Sequence, residues 1–390
     1  MRQRQFNAAI LRGLALLATF SLALSSASAI DMLREIRRDP ETGEFVESTK
    51  NGELVLEKTD ADVATFSYKS GDEKKTVEYS PENVLWIQLE GEPLETSKAR
   101  VELQVGNYRE ALDALDEIEP GEVKSGTLVE LQVLWIRCLA LFGLSETEPP
   151  TPKPRGASSY RNESSPASVK ATSSAKTYRQ EAIVALSWFV SKGKNHYRYY
   201  EANALLAEAL LARGREWEVQ DAIKPWSELT KAKSETTRAR GTVGLSEIAL
   251  EQGSLDAARE EFSKAAALDA DDPGSVEVVA RAKLGLAKVA EAGGKYEDAI
   301  RILKETLASI PENAIQRRAV LYNALGEAYE SADMPEDAIL ARLRVDLLYP
   351  TARSERIKAL RALVPLWERV GRQDRADETR QILADRFDER

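Results

Sequence analysis

The residue types that most often carry protein chemistry are scarce in this chain of 390 residues, which has one histidine and one cysteine. His196 lies in "GKNHYRYYEA" and Cys138 in "LQVLWIRCLALFGL". A zinc site or a Ser-His-Asp triad would lack its parts or depend on His196 alone. We expect His196 to be a surface or helix-cap residue and Cys138 to be a buried, inert thiol. A single cysteine also excludes a disulfide within the chain.

Other patterns that could support catalysis have simpler explanations. The acidic pairs Glu260-Glu261 and Asp271-Asp272 could be an acid and a base, but such pairs are typical of solvated helix faces and helix starts. "EAGGKYEDA" contains Gly-Gly-Lys without the upstream glycine of a phosphate-binding loop. We therefore predict that the protein is not an enzyme and has no catalytic residues, no metal site and no cofactor. An enzyme with an unrecognised site is the remote alternative.

Residues 1–29 have the pattern of a secretory signal peptide. Arg2, Arg4 and Arg12 precede the apolar run "LALLATFSLAL", which is too short to span a bilayer, and the small residues of "SSASA" follow it. We predict cleavage after Ala29, export to the periplasm or cell envelope, and no integral membrane span after cleavage. An uncleaved membrane anchor is the alternative.

The charge of the chain argues against a nucleic-acid partner. Lys and Arg number 54 and Asp and Glu 64, giving a net charge of −10 at pH 7. Without the three arginines of the signal, 51 basic residues stand against 64 acidic ones, a net charge of −13. A polyanion would be repelled by this field, and the sequence contains no basic stripe that could override it.

Residues 30–93 have the alternation of β-strands. "ELVLEK", "DVATFSYK", "KTVEYS" and "VLWIQLEG" are short runs rich in Val, Phe, Tyr, Trp and Thr, and turn sequences separate them. So many strands in so short a segment predict a small antiparallel sheet or barrel. The layout resembles the small SH3-like or Sm-like barrels at the start of some exported bacterial repeat proteins.

From Pro93 to Arg390 the periodicity is helical, and a motif recurs in which a turn residue is followed five positions later by alanine. The pairs are Gly106 with Ala111, Gly253 with Ala258, Gly294 with Ala299, Asp333 with Ala338, and Gly371 with Ala376, with Gly214 and Val219 as a looser match. From Gly214 onward the steps are 39, 41, 39 and 38 residues. Such regular spacing predicts stacked helical hairpins that reverse at each turn residue.

These hairpins resemble the tetratricopeptide repeat. In the unit that begins at Ala319, the family's aromatic, Leu, Gly, Tyr, Ala and Pro positions are occupied by Tyr322, Leu325, Gly326, Tyr329, Ala338 and Pro350. Arg342 stands where the family prefers a large apolar residue, which suggests looser packing there. The resemblance implies a mainly α protein whose residues 94–390 form a right-handed α-solenoid of six to seven hairpins. A proline- and serine-rich segment, 146–176, interrupts it, and we predict that this segment is a disordered loop.

The resemblance also implies a concave groove that binds a peptide or a partner's helix. The family's groove positions fall on Arg240, Glu247, Arg281, Lys288, Asn323, Glu327 and Arg361. The Lys and Asn pattern that clamps a terminal carboxylate in some family members is absent, so we expect an internal segment or a folded partner. The predicted function is a scaffold or adaptor for a protein partner. "DLLYPTARSERIKALRAL" keeps open the alternative of a subunit in an envelope assembly, division or secretion complex.

Overall fold

A computed structural model describes most of the chain between residues 31 and 387. The described ranges are 31–38, 45–70, 73–147, 175–212, 216–269 and 273–387. The predicted signal peptide, residues 1–29, lies outside them, as does most of the predicted loop at 146–176. The two ends of that loop prediction are wrong, because one helix continues to Thr147 and the next begins at Ala175.

The N-terminal module is a five-stranded antiparallel sheet. Its strands are β1 (Asp31–Arg38), β2 (Phe45–Thr59), β3 (Ala64–Ser70), β4 (Glu73–Tyr79) and β5 (Val84–Gln88). They lie in the order β4-β3-β2-β1-β5, so the last strand returns beside the first and pairs Ile87 with Leu33. Within the described ranges β4 and β5 are the two edges of one sheet. Leu33, Phe66 and Ile87 are fully buried in its core.

The described part of residues 94–387 forms seven helical hairpins. The helices are α1 (Leu94–Val105), α2 (Tyr108–Asp116), α3 (Leu128–Thr147), α4 (Ala175–Lys192), α5 (Tyr199–Leu211), α6 (Glu216–Leu229), α7 (Glu235–Glu251), α8 (Leu255–Ala266), α9 (Pro273–Ala292), α10 (Tyr296–Ser309), α11 (Ile315–Ser331), α12 (Pro335–Leu348), α13 (Arg353–Arg369) and α14 (Gln373–Phe387). Each odd-numbered helix is the first helix of its hairpin, and the next is the second. The predicted mainly α, tetratricopeptide-like solenoid preceded by a small sheet is confirmed.

Five of the turn residues found by periodicity lie at the hairpin reversals, and the looser sixth, Gly214, lies outside the described residues. Gly106, Gly253, Gly294 and Gly371 have φ between 73° and 83°, and Asp333 has φ 61°. Asp is one of the few residue types other than glycine that enters this left-handed region at modest cost, since its side chain can hydrogen-bond locally. These positions are therefore confirmed as chain reversals.

The hairpins pack on their neighbours along the chain rather than around one centre. Separate apolar clusters follow one another, one centred on Trp226 and Phe189, the next on Phe262, and another on Leu303 and Leu363. Close approach of helices is visible where Gly244 faces the indole of Trp226, because a Cβ built there would lie 2.3 Å from the ring. This succession of small cores is the arrangement that a solenoid requires.

Arg342 is packed more tightly than the sequence suggested. It is 8% exposed, and its side chain lies against Gly326, whose missing Cβ leaves the space that it fills. Arg342 Nη2 donates to Glu330 at 2.9 Å, and Nη1 donates to Asn323 Oδ1 at 3.1 Å. The expectation of looser packing at this position is wrong, because the aliphatic stem fills the helix seam while the guanidinium finds partners at its end.

Helix α3 is unusually apolar. Its segment Leu128–Glu146, with mean hydropathy 1.6, is the one helix in the described part of the chain that is long and apolar enough to cross a membrane. Leu134, Trp135, Ile136 and Leu144 of this helix are nevertheless buried within the protein. We interpret α3 as a core helix, covered by the helices of the neighbouring hairpins.

Candidate functional site

The first helices form the inner wall of the solenoid. First helices of neighbouring hairpins contact one another, as α1 does α3, α7 does α9 and α11 does α13, whereas second helices make at most marginal contacts with one another. The inner side of a curved array is the one on which neighbours converge. Helix α13 also reaches α3, so the array curls until its last hairpin meets its second.

The β module lies against the N-terminal part of this inner wall. Side chains of the helical region donate to carbonyl groups at the outer edge of β5, where none of the described strands pairs with it. Arg198 Nη2 donates to Val84 O at 2.8 Å and also to Leu85 O. Ile87 O accepts from Arg100 at 3.3 Å and from Gln132 at 3.1 Å. Edge-strand carbonyls are thus satisfied by helical side chains instead of another strand.

Arg198 is the centre of this contact. It is 9% exposed, and its charge is balanced by Glu201 at 2.6 Å. Its guanidinium lies 4.8 Å from the ring centroid of Tyr197 and 5.9 Å from that of Trp135, within cation-π range. Burial opposes the charged form, but Glu201 and Tyr197 outweigh it and raise the pKa of Arg198 above its ordinary value. Arg198 therefore stays charged inside the junction.

His196 contradicts the expectation of a surface residue. It is 1% exposed and packs between Phe189 and Tyr197, at ring-centroid distances of 5.2 and 4.6 Å. Its Nδ1 accepts from the backbone N–H of Arg198 at 3.1 Å, just before α5, so a cap-like role is present. Burial and the nearby Arg198 charge lower the pKa of His196 to about 3. The imidazole is therefore neutral at physiological pH.

Three further contacts hold the module against the helices. Tyr197 joins the module's own core beside Leu33 and Phe66. The backbone N–H of Lys233, between α6 and α7, donates to Asp62 at 2.6 Å. The 3₁₀ turn Pro81–Asn83 contacts α9. The module thus touches elements from the first hairpin to the fifth.

Three of the predicted groove residues belong to one ionic cluster on α7 and α9. Arg281 donates to both carboxylate oxygens of Glu247, at 2.7 and 2.6 Å, and to Glu208 of α5 at 2.8 Å. It also lies 5.1 Å from the Trp226 ring centroid. Arg240 stands 3.7 Å from Glu208. Arg281 and Glu247 are thus committed to each other, and they hold α5, α7 and α9 together.

Asn323 is also committed within the fold. It is 6% exposed, and its amide nitrogen donates to the backbone carbonyl of Glu355 at 2.9 Å and to Glu355 Oε2 at 2.8 Å. Its amide oxygen accepts from Arg342. We therefore assign Asn323 to the bracing of α11 against α13 and not to a surface that a partner could reach.

The remaining predicted groove residues are exposed. Lys288 lies on α9, Glu327 on α11 and Arg361 on α13, which are three consecutive first helices. Their charges alternate in sign along the array. These three side chains form what we call the open inner wall.

Two kinds of reactive group bear on catalysis in the described residues, namely metal ligands and nucleophiles. In the described part of the chain, no group of three or more His, Cys, Asp or Glu side chains could hold a metal ion. Cys138 is fully buried, and burial raises the pKa of its thiol well above the ordinary value. The prediction of a buried thiol is confirmed, and the raised pKa is in keeping with low reactivity.

Comparisons with known proteins give structural neighbours only. No protein-family model matches the chain, and no curated protein matches it. Among solved structures, BtubC from P. vanneervenii is 21% identical, with 53% of this chain and 91% of that chain covered and a TM-score of 0.37. A Rap protein in complex with competence and sporulation factor is 12% identical, with 74% of each chain covered and a TM-score of 0.47. A MamA variant is 17% identical, with 47% of this chain and 92% of that chain covered and a TM-score of 0.28.

Proposed function

We propose that the protein is a non-enzymatic scaffold or adaptor that binds a segment of a protein partner along the open inner wall. The observation that carries this proposal is the row of exposed, alternating charges Lys288, Glu327 and Arg361 on consecutive first helices. A partner segment with acidic, basic and acidic groups in that order would be complementary to it. Such complementarity chiefly sets specificity and association rate.

Crosslinking first tests whether the partner binds at the open inner wall. A photoreactive residue at Lys288 or Glu327 should capture a discrete partner in the cell. The same residue at Glu305, an exposed position on the second helix α10, is the matched control. Capture of the partner from Glu305 and not from the two inner positions would contradict the proposal.

Charge reversal then tests the chemistry with the captured partner. Lys288→Glu and Glu327→Lys should each weaken binding about tenfold, since each replaces an attraction by a repulsion. Glu305→Lys should leave the affinity unchanged. Equal effects of all three variants would show that overall charge, and not this face, determines binding.

A second candidate function is a subunit of an envelope assembly, division or secretion complex. It is suggested by the sequence at the end of α12, and three exposed leucines on that helix support it. Leu340, Leu347 and Leu348 are 57%, 69% and 61% exposed. Apolar side chains exposed together are typical of surfaces that another subunit covers. Leu340→Lys with Leu347→Lys should abolish co-purification with an envelope complex while leaving the thermal unfolding midpoint unchanged.

We also propose that the protein is exported and that the module is SH3-like or Sm-like. The pattern of residues 1–29 supports export. The short meander whose last strand returns beside the first supports the assignment of the module. Mass spectrometry of the protein from a periplasmic fraction should give a mature N-terminus at Ile30, and an intact Met1 there would argue for the uncleaved anchor.

A further inference from the structure

A cavity of about 350 Å³ lies where the β module meets the helices. Val84 and Leu85 of β5 form one side, and side chains of α3, α5, α7 and α9 form the others. Cavities of this size hold small organic molecules or one or two side chains of a peptide. The cavity is separate from the open inner wall, since none of Lys288, Glu327 and Arg361 lines it.

Most of the cavity surface is apolar or aromatic. Trp135, Leu139 and Tyr197 line it from one side, and Val243 and Val278 from another. Flat aromatic walls with aliphatic side chains opposite suit a planar or branched apolar group.

The acidic groups at the cavity already have partners. Asp62 accepts from the backbone N–H of Lys233 at 2.6 Å, and Glu201 accepts from Arg198 at 2.6 Å. The third acidic residue, Glu277, accepts from Arg317 at 3.3 Å. The carboxylates are therefore already engaged, which leaves little free negative charge to attract a cationic ligand.

Of the three arginines that line the cavity, Arg240 has the weakest contact. Arg240 is 3.7 Å from Glu208, and the same Glu208 oxygen already accepts from Arg281 at 2.8 Å. The other two arginines at the cavity are engaged, because Arg198 donates to Glu201 and to β5 carbonyls, and Arg281 donates to Glu247 and Glu208. Arg240 is therefore the arginine best placed to bind an added acceptor.

Two neutral features add to this positive character. The N-terminus of α7 lies at the cavity, where Ser234, Thr236 and Thr237 line it. The aligned peptide dipoles place partial positive charge there. Tyr200 also lines the cavity, and burial together with Asp62 raises its pKa to about 12, so its hydroxyl stays protonated and can donate.

We propose that this cavity binds an amphipathic carboxylate, with the apolar group between the aromatic and aliphatic walls and the carboxylate at Arg240. The ligand carboxylate gives Arg240 an acceptor of its own, because the present partner of Arg240, Glu208, already accepts from Arg281. The same chemistry can come from a free aromatic or branched-chain acid or from the C-terminal residue of a peptide. Because the site is distinct from the open inner wall, it stands or falls independently of the scaffold function.

Calorimetric titration of the full mature chain tests the proposal. The probes are 3-phenylpropionate and its uncharged amide, together with the peptide Gly-Gly-Gly-Phe with a free or an amidated C-terminus. We expect at least one free acid to bind about tenfold more tightly than its amide, from one charge-assisted contact. Binding of 3-phenylpropionate alone identifies a small molecule as the source, and binding of the free peptide identifies a chain end. Equal affinities within both pairs, or no binding by any probe, would overturn the proposal.

Variants then locate the contact. Arg240→Met should reduce the preference for acid over amide to near unity while the amide still binds. Arg344→Met, which changes an exposed arginine on α12, should leave the preference intact. If Arg240→Met does not fold, as judged by circular dichroism, Arg240→Gln serves instead. A preference that survives at full size in the Arg240 variant would rule out this site.

Discussion

The two halves of the inner wall satisfy their polar side chains in different ways. In the N-terminal half, Arg198, Arg100 and Gln132 donate to backbone carbonyls of β5. In the C-terminal half, Asn323 of α11 bonds to Glu355 of α13 and accepts from Arg342 of the second helix α12. The helical repeats thus bind the β module in the N-terminal half and bond to one another in the C-terminal half.

This difference shows what an inward-facing polar residue does and does not indicate. A buried donor must find an acceptor, and either an added strand or a neighbouring helix can provide it. An asparagine or arginine on a first helix is therefore no sign of a partner by itself. Exposure together with charge, as at Lys288 and Glu327, is the better criterion.

Of the substitutions that test this difference between the two halves, Arg198→Met should lower the free energy of unfolding most. Arg198→Met removes the donor to Val84 O and Leu85 O and leaves Glu201 without its partner. Glu201 is 36% exposed at its side chain and can be solvated, but each carbonyl left without a donor costs about 1–3 kcal/mol, so we expect a loss of about 3–5 kcal/mol of unfolding free energy in total. Hydrogen exchange should accelerate at the β5 amides and remain unchanged in α11 and α13.

The matched control for this experiment is Lys194→Met, at an exposed position shortly before α5. Its exchange pattern should equal that of the wild type. If Arg198→Met accelerated exchange equally throughout the chain, the two halves would not be separate units.

Loss of Arg342 tests the other half and should have the second largest effect. Arg342→Met leaves Asn323 Oδ1 and Glu330 without their shared donor. Because Glu330 is 32% exposed at its side chain and water can replace part of the bond, we expect a loss of about 2–3 kcal/mol in urea unfolding. Arg344→Met, on the same helix but exposed, should change the midpoint little. Equal shifts for both variants would refute the bracing role.

The pH dependence of stability sharpens the comparison, because His196 is the only histidine and lies in the N-terminal half. Its pKa is lowered from 6.5 to about 3 in the fold, so the unfolded chain binds the extra proton between these pH values. The stability due to neutral His196 is present above pH 6.5 and is lost as the pH falls towards 3. At pH 5 the loss is about 2 kcal/mol.

The measurement is the difference in unfolding free energy between pH 7.5 and pH 5, for the wild type and for His196→Gln. Glutamine is neutral at both values, so the variant should lack this part of the pH dependence. An identical pH dependence in the two proteins would show that His196 is accessible and titrates normally.

Glycine substitutions in the two halves should have the smallest effects. At Gly244 a Cβ would meet the buried Trp226 ring, which cannot move. Overpacking there costs about 1–3 kcal/mol, partly offset by about 1 kcal/mol of helix propensity. At Gly326 the Cβ would meet the stem of Arg342, which can shift only in part because its guanidinium donates to Asn323 and Glu330. Gly326→Ala should therefore destabilise the protein, but less than Gly244→Ala. Thermal unfolding of both variants tests this, and a larger loss at Gly326 would contradict it.

The chain reversals could be predicted from sequence because they are local. The turn residue and its alanine lie five positions apart, and a positive φ depends on the residue itself, as Gly253 and Asp333 show. The alternating pattern of the strands is equally local. Hairpin number and order followed from the same repeat.

The junction between module and helices could not be predicted, because its contacts join residues far apart in the chain. Arg198 and Val84 are separated by 114 positions, and "NHYRYYEA" does not indicate which residue Arg198 contacts. The same holds for Asn323, whose partner Glu355 belongs to the next hairpin. An arginine set among three tyrosines is the one local sign of a desolvated charge that the sequence offered.

The short connection between β5 and α1 has a consequence for how the module is held. Only residues 89–93 separate Gln88 from Leu94, and this connection is itself fixed, as Glu92 accepts from Arg100 at 2.6 Å. A tether of this length gives the module an effective local concentration in the millimolar range or above. Contacts too weak to join two separate molecules therefore suffice to keep it seated. A competitor of equal affinity for the side chains that bind the β5 carbonyls would have to exceed that local concentration to displace the module.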